Sequence, residues 1–150
     1  MSYEVEVVQV EAAPFAKVTR RGTLAQIGEL AMPALDEVGA AVRAAGVETR
    51  HNLIVYREAP GGEFDMEMGV EVAPGATLSE GAVVIGETPS GGAAHVLHRG
   101  PYDQLPAVYE TIRSWAPSQD ITLSGTAWEV YGDWSEDASK LETDVYYLLA

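Results

Sequence analysis

The chain has 150 residues, 47% of them apolar, and no cysteine; that suffices for one substantial core and excludes disulfides, cysteine-based zinc sites and thiol nucleophiles. Its formal charge is −14, and its nine Lys and Arg gather into no basic stripe, so direct nucleic-acid binding is not expected. No apolar run reaches the roughly 20 residues that cross a bilayer and nothing at the N-terminus resembles a secretion signal, so the expectation is a cytoplasmic protein without membrane contact.

In chain order, Glu4 to Val10 and Phe15 to Arg20 are short Val-rich runs separated by Ala12-Ala13-Pro14, which predicts a hairpin. Thr23-Leu24-Ala25-Gln26 has the spacing of a capping box. The apolar positions Leu24, Ile27, Leu30, Ala31, Leu35, Val38 and Val42 continue at helical period as far as Gly46, with a kink expected at Pro33. Leu53 to Arg57 and Phe64 to Val72 read as strands joined through Ala59-Pro60-Gly61-Gly62. After the linker Pro74-Gly75-Ala76 the same order returns. Ala82 to Glu87 and Ala93 to His98 form a second predicted hairpin about Pro89-Ser90-Gly91-Gly92, and Asp103 is placed as the cap of a helix ending near Trp115. The strands Ala127 to Tyr131 and Leu141 to Leu149 close the unit.

The return is legible residue by residue. Val18 to Ile27 matches Val96 to Leu105 in steps that align Arg21 with Arg99 and Gly22 with Gly100, while Val55-Tyr56 matches Val130-Tyr131. The acidic pair Asp65 and Glu67 likewise matches Glu142 and Asp144. The chain therefore reads as one domain built from two copies of a ββαββ unit, about 1–74 and 80–150. The class is α+β, an antiparallel sheet with two helices on one face and a ligand cleft expected on the other.

The chemistry concentrates in the strand Thr126-Ala127-Trp128-Glu129-Val130-Tyr131. Alternation puts Glu129 and Tyr131 on one face and Trp128 with Val130 on the other. By the repeat, Tyr131 corresponds to Tyr56 and Glu129 to Ile54, and the last strand contributes Asp144 and Tyr146. A carboxylate among rings is partly desolvated, so it attracts a cation or takes up a proton, and tyrosine rings add cation–π attraction. Tyr109 and Tyr147 suit ordinary core packing. His95 and His98 point to opposite faces of their strand and cannot together hold a metal, and His51 reads as solvated.

Four pieces in order, His98-Arg99-Gly100-Pro101-Tyr102, Leu105 with Tyr109 and Trp115, Trp128-Glu129-Val130-Tyr131, and Thr143-Asp144-Val145-Tyr146, resemble the GyrI-like small-molecule-binding family, the effector-binding domain of AraC-type and multidrug-responsive MerR-type regulators. The resemblance implies duplicated βαββ units of SHS2-like, pseudo-twofold architecture and a central glutamate, here Glu129, that faces lipophilic cations. Its implied neighbours are Tyr131, Tyr146 and, through the repeat, Tyr56. Trp128, Ile54, Tyr102 and Tyr109 complete the expected lining. With no helix-turn-helix segment in view, a stand-alone member is expected. It would bind amphipathic, often cationic aromatic ligands without a cofactor, with dimerisation left open. The alternatives are a hydrolase of reactive electrophiles such as cyclopropanoid genotoxins, using Glu129 with Tyr131, and an inhibitor of a macromolecule such as gyrase.

Overall fold

A computed structural model describes residues 3–150. Among these residues two helices, α1 (Ile27–Ala45) and α2 (Leu105–Ser118), interrupt a run of eight strands, β1 (Glu6–Val10), β2 (Pro14–Gly22), β3 (Thr49–Glu58), β4 (Phe64–Val72), β5 (Val84–Glu87), β6 (Gly91–Arg99), β7 (Leu123–Tyr131) and β8 (Glu142–Leu149), after β2 and after β6. All pairings are antiparallel, within one sheet of order β1-β6-β8-β7-β3-β4-β2-β5. The α+β class stands. That order reads the same from both ends once each strand is exchanged for its counterpart in the other copy, so a pseudo-twofold axis runs between β3 and β7. Ile54 and Glu129, equivalent in the repeat, lie directly opposite each other there.

The two expected hairpins do not form. β1 pairs with β6, and β2 pairs with β5 and β4, so the copies exchange their first strands and each half is completed by the other. Glu11-Ala12-Ala13 carries none of the Gly, Asn or Asp that a tight reversal favours. The chain instead passes from the first position of the sheet to the seventh. Six strand spacings would separate those positions by about 29 Å in a flat sheet. The four residue steps from Val10 to Pro14 reach only about 14 Å. The sheet must therefore curl until its edges approach. Its helix-free face closes on a core of its own, in which Phe15, Leu53, Val55, Ala93 and Trp128 pack with Val8, Val10, Val130, Tyr146 and Leu148.

The opposite face carries both helices. Ala34, Val38 and Val42 of α1 bury against Ala16, Val18, Met66, Met68 and Val70, and Leu105, Val108 and Ile112 of α2 bury against Ala94, Val96 and Val145. Each fully buried Val, Leu, Ile or Met among them contributes about 1.5–3 kcal/mol. At the start of α1, the Thr23 N–H donates to Gln26 Oε1 at 2.8 Å, as the capping spacing predicts. The helix runs unbroken through Pro33, where Glu29 and Pro33 are both exposed and water can take the carbonyl that the proline leaves free. Gly46, in the left-handed region at φ 68°, ends it. Asp103 does not cap α2. It sits inside a 3-10 turn, Tyr102–Gln104, that leads into the helix, and α2 extends past Trp115 to Ser118.

Candidate functional site

The helices pack over the outer strands of their own halves and leave the central pair β3 and β7 open between them. The cleft thus lies on the helix-bearing face and not on the opposite one, because the curl of the sheet has already filled the opposite face. It is a cavity of about 860 Å³ reaching from Ile54, Tyr56, Ala127, Glu129 and Tyr131 on the strands up to residues of α1 and α2.

Glu129 forms its floor and is only 4% exposed. Three tyrosine hydroxyls donate to its carboxylate: Tyr131 and Tyr56 to Oε1 at 2.5 and 3.2 Å, and Tyr109 to Oε2 at 2.6 Å. β7 presents Tyr131 two residues beyond the glutamate, β3 presents Tyr56 at the repeat-equivalent place, and α2 lowers Tyr109 from above. Glu129 takes part in no ion pair among the described residues. Burial pushes its carboxyl above the ordinary value of 4.5, while the hydroxyls of Tyr109, Tyr131 and Tyr56 pull the other way. The same desolvation, together with the charge of Glu129, raises all three tyrosines above their ordinary value. They are therefore neutral hydrogen-bond donors at neutral pH.

Two consequences follow from this geometry. A buried carboxylate held only by neutral donors has no counter-ion, and a charge in that state is costly to keep. Its lone pairs are also largely taken. Each carboxylate oxygen accepts about two hydrogen bonds, so Oε1 is full and Oε2 has room for one more.

Of the residues singled out by sequence, Glu129, Tyr131, Tyr56, Ile54, Tyr102 and Tyr109 line this cavity. Tyr102 stands edge-on against Tyr131, with ring centroids 5.6 Å apart. Trp128 and Tyr146 are placed elsewhere. They stack on each other at 4.9 Å, nearly parallel, in the core of the opposite face. Trp128 pairs with Tyr146 in the register, so alternation puts both on that face; Tyr147, opposite Ala127, turns to the cavity instead. Asp144 follows Tyr146 and accepts from His95 at 2.7 Å. His98 is buried between Tyr3 and the Pro101 carbonyl, and His51 sits on the cavity rim against Asp133. The sequence also passed over Met32, Phe64 and Trp134, which line the cavity. Tyr147 depends on the register of β8 against β7, which no pattern within a single strand fixes. Trp134, in a loop, has no periodicity to betray it.

A family model described as the GyrI-like small molecule binding domain matches residues 3–149. The chain belongs to that family. None of the curated proteins matches it. Among solved structures this GyrI-like chain is similar to the EcmrR C-terminal domain, with 20% identity, TM-score 0.81, and 100% of this chain and 99% of that one covered. It spans 57% of the longer EcmrR chain in an EcmrR–DNA complex. It is also similar to SAV2435 bound to tetraphenylphosphonium, with 11% identity, TM-score 0.67, and coverage of 100% and 94%. A structure of a hydrolase from Listeria innocua shows 9% identity, TM-score 0.63, and coverage of 98% and 92%. Identities this low carry the fold alone.

Proposed function

We propose that this GyrI-like domain binds lipophilic organic cations that carry few or no N–H donors, with Glu129 as counter-charge. The observation that carries this is a carboxylate 4% exposed, bound by three tyrosine hydroxyls and in no ion pair among the described residues. An ammonium or guanidinium needs several acceptors, and Oε2 has one position left. A quaternary ammonium or phosphonium asks only for negative potential and apolar walls, with ring faces contributing cation–π attraction. The cavity volume of about 860 Å³ suits such an ion. SAV2435, similar in fold, was solved with a phosphonium of this class. The net charge of −14 enriches cations around the mouth and disfavours contact with phosphate backbones, consistent with sensing or sequestration of small molecules. The test is to titrate tetraphenylphosphonium into the parent and into Glu129→Gln. Equal affinities remove the counter-charge role.

A second reading is hydrolysis of reactive electrophiles. It is favoured by the hydrogen bond that Tyr131 donates to Glu129 and by a carboxyl raised through burial, a pair suited to moving a proton at a substrate atom. Incubation with an electrophilic cyclopropane decides it. Turnover no faster in the parent than in Glu129→Gln discards it.

A further inference from the structure

The cavity lining carries polar groups besides Glu129 and its three hydroxyls, among them Arg50, His51, Glu58, Arg113 and Asp133, yet its most exposed walls include large apolar side chains. Of the eight large hydrophobic side chains exposed among the described residues, four line this one cavity: Leu24 (56%), Met32 (63%), Tyr102 (38%) and Trp134 (72%). Single exposed apolar residues are ordinary, but four of them lining one cavity mark a surface that something covers. None of the four belongs to the buried clusters of the fold. Leu24 and Tyr102 are equivalent in the repeat, each the first residue of the 3-10 turn that leads into its half's helix, so the opening takes a wall from each copy. Met32 adds a flexible side from α1. Trp134 stands in the loop that follows β7, three residues past Tyr131.

We infer that these four side chains form an outer apolar subsite, continuous with the Glu129 chamber. The molecule bound here then has two parts, a compact cation seated at Glu129 and an alkyl or aryl arm that reaches the mouth and is covered there by Trp134. The ligand class is an amphipathic monocation and not a globular ion alone. This rests on the counter-charge reading of Glu129 and adds a length requirement to it.

The experiment is a series of alkyltrimethylammonium ions from about two to ten carbons, kept below their micelle concentrations. They are titrated into the parent, Glu129→Gln and Trp134→Ala, with sedimentation measured on each protein. Trp134 is exposed, so its removal leaves the fold intact. Once the arm reaches the mouth, affinity for the parent is expected to rise about two- to fourfold per added methylene. Trp134→Ala should keep the parent's affinity for the shortest ion and lose most of that rise. Glu129→Gln should weaken every member by a similar factor and keep the rise. A flat series in the parent, or a Trp134→Ala series as steep as the parent's, overturns the outer subsite; the Glu129 reading then still stands if Glu129→Gln weakens the shortest ion. A flat series together with a dimer that Trp134→Ala dissociates also overturns it, in favour of a second copy as the cover. Equal binding of the shortest ion by parent and Glu129→Gln removes the counter-charge on which the subsite depends.

Discussion

Replacing Glu129 with glutamine removes one charge and almost no volume. Its Oε1 can still accept from Tyr56 and Tyr131, and the new amide can donate to the Tyr109 oxygen, so the chamber keeps its shape. What goes is attraction. A phosphonium centre, shielded by its phenyl rings, sits about 6 Å from a carboxylate and at an effective dielectric near 20 gains about 3 kcal/mol. Stripping water from the ion pair offsets part of this, which leaves a loss of about 1–2 kcal/mol, or roughly 5- to 30-fold in affinity for tetraphenylphosphonium. Isothermal titration calorimetry measures it, with triphenylphosphine oxide as the uncharged control. Affinity for the control should barely change. A Glu129→Gln protein that binds the phosphonium within about twofold of the parent, or that loses the neutral control equally, would refute the electrostatic reasoning. Stability should move the other way. The Glu129 carboxyl is raised in the folded state, so its contribution is fully present below the unfolded value and is lost as pH rises through the folded one. Without ligand at neutral pH, the variant should therefore melt no lower than the parent.

Further outcomes are expected. Cation affinity should fall as pH drops through the raised value of Glu129, and because the Tyr109 hydroxyl holds that value down, Tyr109→Phe should shift the fall to higher pH; binding measured from pH 4 to 8 shows whether the midpoint moves. Trp128→Ala should lower stability by about 3–5 kcal/mol and the melting temperature by roughly 10 °C, yet leave affinity of the folded protein unchanged, since the ring packs on the face away from the cavity. Loss of binding at a temperature where circular dichroism shows the fold intact would contradict that placement. At Gly69 an added Cβ would collide with the Ala16 carbonyl oxygen on β2, so Gly69→Ala should yield little soluble protein; a normal melting curve would count against the close approach.

The site was legible where two independent patterns met. Alternation along β7 places Glu129 and Tyr131 together, and the internal repeat carries Tyr131 onto Tyr56, so these three need no structure to be associated. Ile54 followed from the same correspondence. Tyr146 did not lend itself to this reasoning, because its parity depends on the register of β8 against β7, and register is a property of two strands at once. A slip of one residue exchanges Tyr146 with Tyr147. The first strands of each half were read as hairpins because adjacent runs of strand residues usually pair. Their exchange depends on the curl of the whole sheet, and that curl also decided which face was free to hold a ligand. Sequence patterns report local faces well and global closure poorly.

The pairing of Ile54 with Glu129 across the pseudo-twofold axis bears on why the two halves are joined in a single polypeptide. In an association of two identical half-length chains, any residue at this position would confront its own image, with Cβ atoms about 4.5–5.5 Å apart. Two buried acids at that range cannot both be ionised, and one would be driven to hold a proton. Fusion lets the twins diverge, so that one keeps the acid and the other becomes a hydrocarbon. A lone anion at a centre of symmetry is open only to a molecule whose halves are free to differ.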